Sequence, residues 1–456
     1  MGQLEGTVMD KQKKGIYIWS AFFGVSLILL HMSIRIYTGD DNYFSTALNT
    51  TSFRDYLHGR YTQWSSRVII EAILAYIAGN YIIWKACNIF MYALWAYSLY
   101  KITKSYIGII MGLTMLYPIT DMLSAGWIAT SLNYFWPLVL GTYSFVAIEK
   151  SISGIRIKWY EIALSVMAEI IAVNMEQYVV LHLFCLGIIL VYLLLRKDYT
   201  KNKYVILSIH IIVALISLLF ILTCPGNNAR NSYMVYKWMK DFENLSIFDK
   251  LVHGFNTTIS GYLSQICLLF LLFVVIIFLC VAKKSKDKGD SGWILPFSSI
   301  PILLITIVSI GNVFRNGYFT EISNALSQGE IINPVNWSKP IHYIIFALYV
   351  FFTVAIAVSI VYIFEDVLIG SIHGFLFLCS VLVRMVMGFS PTLYASGQRT
   401  FCFSYGVILY LIIIVLKESK LLFSEKERRR FEYILLGMGS VFILEMVTRI
   451  CMAYGI

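Results

Sequence analysis

A series of long apolar runs constrains this chain more than any other feature. Each is about 20 residues, enough to cross ~30 Å of hydrocarbon as a helix. In hydrocarbon every backbone N–H and C=O must be satisfied, which leaves helices or closed barrels. Strand-period alternation is absent, so a barrel is not expected. The composition fits: 59% of the 456 residues are hydrophobic and 14% are charged, against about 25% charged in soluble domains. The expected fold is all-α, a polytopic membrane bundle in one transmembrane domain over 1–456.

The runs place membrane helices at 15–36, 82–101, 105–123, 128–148, 160–175, 177–195, 204–223, 262–282, 292–313, 341–363, 367–387, 400–416 and 432–452. This is about thirteen crossings. The first run follows a polar stretch ending at Lys14 and lacks a small-residue cleavage site. It reads as a retained helix. Segment 67–81 is too short to span and reads as an amphipathic helix at the surface.

The formal charge of +10 could suggest nucleic acid. Its placement argues otherwise. Lys and Arg gather in short loops, at 11–14, 101–104, 150–158, 196–203, 283–288 and 417–430. The positive-inside rule makes these cytoplasmic, with the N-terminus inside and the C-terminus outside. The remaining loops, 37–66, 122–128, 224–261, 314–340 and 388–399, then face outward. The Ile, Lys, Asn and Tyr bias fits an AT-rich bacterial genome, hence a bacterial cytoplasmic membrane.

Polar residues collect in the outer loops. Asp40 and Asp41 follow the first helix, with Tyr43, Arg60 and Arg67 further on. Adjacent carboxylates can supply a base or hold a metal, although Gly-Asp-Asp also favours turns. Asn133, Tyr134, Trp136 and Pro137 follow, and their aromatics would also suit an interfacial belt. Glu169 and Glu176 lie two turns apart, so both need a polar environment. Pro225-Gly226-Asn227 should end a helix in a tight turn, with Arg230 beside it as an anion receptor. Arg399 follows Ser390-Pro391 and could bind phosphate or snorkel to headgroups. Walker, HExxH, GxSxG and dinucleotide glycine patterns are absent.

On these stretches the chain resembles the GT-C fold of polytopic glycosyltransferases, and within it the Gtr-like enzymes that decorate O-antigen and cell-wall polysaccharide. The matching segments are Asp40-Asp41-x-Tyr43, Arg60-Tyr61-x-x-Trp64-x-x-Arg67, Ser131-Leu132-Asn133-Tyr134-x-Trp136-Pro137, Pro225-Gly226-Asn227-x-x-Arg230 and Ser390-Pro391 to Arg399. One departure is Ser66, where a Gly would precede the Arg.

The resemblance implies transfer of a monosaccharide from a polyprenyl-phosphate sugar to a surface glycan at the outer face, with inversion. Asp40 would be the general base and Asp41 its helper. Arg230, Arg399 and Arg60 would bind the donor phosphate. Asn133, Tyr134, Trp136, Glu176, Asn227 and Tyr43 would contact the sugar or acceptor. Loops 224–261 and 314–340 would cap the site. No cofactor is expected; a divalent metal at Asp40/Asp41 is an option but not the expectation. Partners would be the lipid-linked donor, the acceptor polysaccharide and membrane lipid, with a donor synthase and a flippase as candidates, and no nucleic acid. The rival readings are a polysaccharide polymerase and a flippase or carrier of lipid-linked sugars.

Overall fold

The computed structural model describes residues 2–35, 37–119, 125–265, 267–289, 292–313, 318–329, 337–419 and 424–454. Every regular element among them is helical. After α1 (Gly2–Ser33) come three short helices, α2 (Asp41–Thr46), α3 (Phe53–Gln63) and α4 (Val68–Ile77). Segment 67–81 therefore does contain a short helix, and it turns Ile70, Glu71, Leu74 and Ala75 inward.

α5 (Tyr81–Thr103) begins where Asn80 accepts the N–H groups of Ile82 and Ile83, a cap worth about 1 kcal/mol. Of the run expected as a helix over 105–123, the described residues form α6 (Ile107–Met115), and 120–123 lie outside the described residues. At 1.5 Å per residue α6 is about 14 Å long. Pro118 follows it and has no N–H to extend the ladder.

α7 (Trp127–Thr130) passes through a π-helical turn (Ser131–Phe135) into α8 (Trp136–Ile152). Pro137 has no N–H for the carbonyl four residues back, so the bonding slips by one residue. The N–H of Trp136 accordingly reaches Ser131 O, five residues back.

α9 (Trp159–Ala172) and α10 (Glu176–Leu195) are separated by Val173-Asn174-Met175. α11 (Lys201–Thr223) and α12 (Pro225–Trp238) follow, so Pro225 opens a helix where a turn was expected. Proline's fixed φ and missing N–H suit that first position. Then come α13 (Ile247–Ser264), α14 (Leu268–Lys288), α15 (Ile294–Val313), α16 (Tyr318–Gln328), α17 (Pro340–Ile363) and α18 (Val367–Met385). Two 3-10 turns, Val386–Phe389 and Gly397–Phe401, lead to α19 (Cys402–Glu418) and α20 (Glu425–Tyr454).

Among the described residues eight helices are long and apolar enough to cross a membrane: α10, α11, α14, α15, α17, α18, α19 with its preceding turn, and α20. The chain is a multi-pass membrane protein. The α19 span is 89% buried, whereas those of α11 and α20 are 28% buried. α19 is thus the axis of the bundle, and α11 and α20 present most of their apolar surface outward.

The basic segments meet at one end of the bundle. Lys417 donates to Thr103 O at 3.0 Å, and Lys284 to Phe364 O at 2.9 Å. Lys104 pairs with Glu149 at 3.0 Å, and Arg196 pairs with Asp366. α8, α10 and α19 all end here. Their opposite ends, reached through α7 from Trp127, at Glu176 and through the turn from Gly397, lie at the other end of the bundle, where the cavity-lining polar residues gather.

One backbone approach shapes that far end. A Cβ on Gly254 of α13 would lie 2.1 Å from Met385 O. A Cβ on Gly388 would lie 2.0 Å from Lys250 O. The two glycines let α13 press directly on the end of α18, as small residues do where membrane helices cross closely.

Candidate active site

The site starts from two left-handed glycines. Gly39 has φ +56° and Gly126 φ +104°. A Cβ on Gly126 would lie 2.3 Å from Thr38 O, so the two loops touch backbone to backbone. Asp40 N–H donates to Ala125 O at 2.9 Å across this contact.

The contact sends the two adjacent aspartates in different directions. Asp41 is fully buried and accepts the N–H groups of Ala129 at 2.8 Å and Ile128 at 3.2 Å. It caps the start of α7. Burial pushes its carboxyl up to about 6, against the opposing pull of those backbone N–H groups. Asp40 is exposed and lines a cavity. Its carboxylate has no hydrogen-bond partner among the described residues.

That cavity encloses about 360 Å³. Five helical segments begin at its wall: α4, α7, α10, α12 and the Gly397–Phe401 turn. Helix N-termini carry partial positive charge and unbonded N–H groups. Asp41 caps α7. Asn174 caps α4, accepting from Ile69 at 3.0 Å and Ile70 at 3.2 Å. The N-cap residues of α10 and α12 supply no side-chain cap, and Glu176 and Asn227 in their first turns line the cavity.

Four guanidinium groups and three carboxylates line the wall: Arg60, Arg67, Arg230 and Arg399 against Asp40, Glu71 and Glu176. Arg60 is held in a two-point fork by Glu71, with its second contact at 2.8 Å. Arg67 donates to Glu176 at 2.6 Å and to Asn133 at 3.1 Å. Arg230 reaches the other oxygen of Glu176 only at 3.4 Å. Glu71 is therefore held by Arg60, Glu176 is shared by Arg67 and Arg230, and the wall carries one more guanidinium than carboxylate.

The wall is braced from behind. Asn227 accepts from Ser66 N–H at 3.2 Å and donates to Ile221 O at 2.9 Å. Asn227, Arg230, Asn231 and Met234 share one face of α12 and line the cavity together. Gln177 donates to Thr400 O at 2.8 Å and Val383 O at 3.0 Å, tying α10 to α18 and to the turn before α19.

The structure thus brings together Asp40, Arg60, Asn133, Tyr134, Glu176, Asn227, Arg230 and Arg399, from the turn before α2 to the turn before α19. Three expected site residues lie elsewhere. Asp41 is a helix cap. Tyr43 lies outside the lining, half exposed, with its ring 5.6 Å from the Arg60 guanidinium. Trp136 is buried in the bundle, where its indole N–H donates to Asn88 at 2.9 Å. Arg60 does reach the cavity, but Glu71 occupies its fork. Asp41 is fully buried and both its oxygens accept backbone N–H groups, so it presents no exposed carboxylate beside Asp40.

Of the two loops expected to cap the site, 224–261 lines the cavity through Asn227, Arg230, Asn231 and Met234. Residues 314–317 and 330–336 of the loop over 314–340 lie outside the described residues. Its described part, including α16, does not line the cavity; Val386 to Arg399 do. Sequence reasoning missed Glu71 and Gln177 and left Arg67 without a role. The signal for Glu71 was its charge inside the apolar stretch VIIEAILAYI. A cavity with one solvent-facing carboxylate, excess guanidinium charge and the first turns of two helices at its wall can bind an anion and accept a proton. No protein-family model, curated protein or solved structure matches this chain.

Proposed function

We propose that this chain is a glycosyltransferase that moves a monosaccharide from a polyprenyl-phosphate sugar to a surface glycan, with inversion. The observation that carries the reading is the shared cavity: the Asp40 carboxylate faces the same space as Arg230, Arg399 and the first turns of α10 and α12. In the reaction an acceptor hydroxyl attacks the anomeric carbon and gives its proton to Asp40. The bond from that carbon to the phosphate oxygen breaks, and the leaving polyprenyl phosphate keeps the electron pair. Its added charge is stabilised by Arg230, Arg399 and the two helix ends. Asn133, Tyr134, Glu176 and Asn227 contact the sugars. Neither metal nor cofactor enters the scheme.

On this reading the bundle is GT-C-like, with about thirteen crossings, in a bacterial cytoplasmic membrane. The N-terminus is inside, the C-terminus outside, and the cavity opens at the outer face. The segregation of basic residues to the far end of the bundle agrees with that orientation. A donor synthase and a flippase would supply the substrate.

The test is release of radiolabelled hexose from polyprenyl-phosphate hexose by the purified protein in lipid, beside Asp40→Asn and Arg230→Ala. Release is expected from the unmodified protein alone, with Arg230→Ala slower by about 100- to 1000-fold. Equal release by Asp40→Asn would remove Asp40 as base and favour a polymerase. Translocation without cleavage would favour a carrier.

A further inference from the structure

Away from the cavity, three chemistry-bearing side chains meet inside the bundle with no part in the proposed transfer. Glu169 of α9, His182 of α10 and His210 of α11 are each fully buried. Glu169 Oε1 lies 2.9 Å from His182 Nε2, and Glu169 Oε2 lies 2.5 Å from His210 Nδ1. Each oxygen of the one Glu169 carboxylate thus faces an imidazole nitrogen from a different neighbouring helix. Among the described residues this is the one group of three such side chains whose ligand atoms all lie within 4.8 Å of one another.

We propose that Glu169, His182 and His210 bind one divalent transition-metal ion of the Zn2+ class. Two imidazole nitrogens and a carboxylate are the donor set such ions take, and a two-oxygen carboxylate completes four donors. Softer thiolate-seeking ions are disfavoured, since no cysteine joins the group. Hard Mg2+ or Ca2+ would want more oxygen ligands than the site offers.

The surroundings fix one ligand firmly. Ser165 Oγ gives its proton to Ile162 O at 2.8 Å. It can therefore only accept from His210 Nε2, 3.4 Å away. His210 carries a proton on Nε2, and its Nδ1 is the nitrogen turned to Glu169. A ligating histidine is usually held in this way through its remote N–H. His182 has no such tether at Nδ1. Its ring is held instead by Phe145, with centroids 4.8 Å apart, and by Tyr178.

An imidazole nitrogen that ligates a metal carries no proton, so the ion would take the place of hydrogen between Glu169 and the two facing nitrogens. The ion would clamp α9, α10 and α11 together. The outer ends of these helices carry Asn174 and Glu176, and α12 with Asn227 and Arg230 starts directly after them, so the clamp would brace the cavity floor from within.

The test is a Co2+ titration of the full-length protein, stripped with chelator and held in lipid nanodiscs, followed by Zn2+ competition. One equivalent of Co2+ is expected, with the visible absorption of a four-coordinate N/O site, displaced by one equivalent of Zn2+. His182→Gln and His210→Gln should abolish the absorption, and Asp40→Asn should retain it. Ser165→Ala removes only the tether and should weaken affinity by about 10- to 100-fold, which keeps the test open if the histidine variants misfold. An unmodified protein that binds no Co2+ and retains no Zn2+ overturns the proposal and leaves a proton as the occupant. Absorption that survives both histidine changes, or vanishes in Asp40→Asn, overturns it as well.

Discussion

Asp40→Asn and Asp41→Ala alter neighbouring residues and should fail in different ways. Asp41 accepts two backbone N–H groups at the buried start of α7. Its truncation strands both donors, at about 1–3 kcal/mol each, for a loss of roughly 2–6 kcal/mol. This loss depends on pH. The native carboxyl holds its proton to about 6, against an ordinary value of 3.8. Asp41 therefore favours the native state most below about pH 4. Its contribution declines as pH rises to about 6 and then levels off, because the carboxyl is then ionised in both states. At 1.36 kcal/mol per pH unit the decline is on the order of 3 kcal/mol. The destabilisation by Asp41→Ala should accordingly be large near pH 4.5 and small at pH 7. Asp40, exposed in the cavity, should give Asp40→Asn the stability of the unmodified protein throughout. Its defect should be in rate, about 100- to 10,000-fold in sugar transfer. The assay is unfolding in one detergent at several pH values, read as the difference between each variant and the unmodified protein, beside the transfer assay. A difference for Asp41→Ala that is flat with pH, or a matching instability in Asp40→Asn, would refute the division of roles.

Two further outcomes follow from packing. Glu71→Ala leaves the Arg60 guanidinium in a mostly buried site without its fork, and should destabilise by about 3–5 kcal/mol. Arg60→Met with Glu71→Leu should recover most of that loss, which the same unfolding assay would register. Gly254→Ala would drive a Cβ into Met385 O, an overpacking cost of about 1–3 kcal/mol. It should also lower transfer, because Met387 and Phe389 on that turn line the cavity; unchanged stability and rate would show that α13 does not set the wall.

Much of the site's membership was legible in the chain. Asp40, Asn133, Glu176, Asn227, Arg230 and Arg399 are polar residues beside apolar runs, and hydrocarbon does not tolerate such groups without a polar setting. Direction was less legible. Asp40 and Asp41 are chemically alike and adjacent, and only the Gly39–Gly126 contact turns one outward and the other into a helix cap. Trp136 lies in a polar-looking motif, yet Asn88, 48 positions earlier, draws it into the bundle. Arg60 and Arg67 read alike as loop arginines until the fold hands Glu71 to one and Glu176 to the other.

The sequence by itself determined the solvent: apolar runs of about bilayer length admit a helical membrane protein and little else. It also determined which segments are basic and therefore belong together, since that sorting is a property of composition along the chain. Tertiary structure alone decided which carboxylate meets which arginine, which helix ends stay uncapped, and that Glu169 meets two histidines from the next two helices. The Arg67–Glu176 pairing, for one, joins residues 109 positions apart. Such meetings depend on how helices pack and which atoms the backbone leaves exposed, and no local pattern of residue types encodes that geometry.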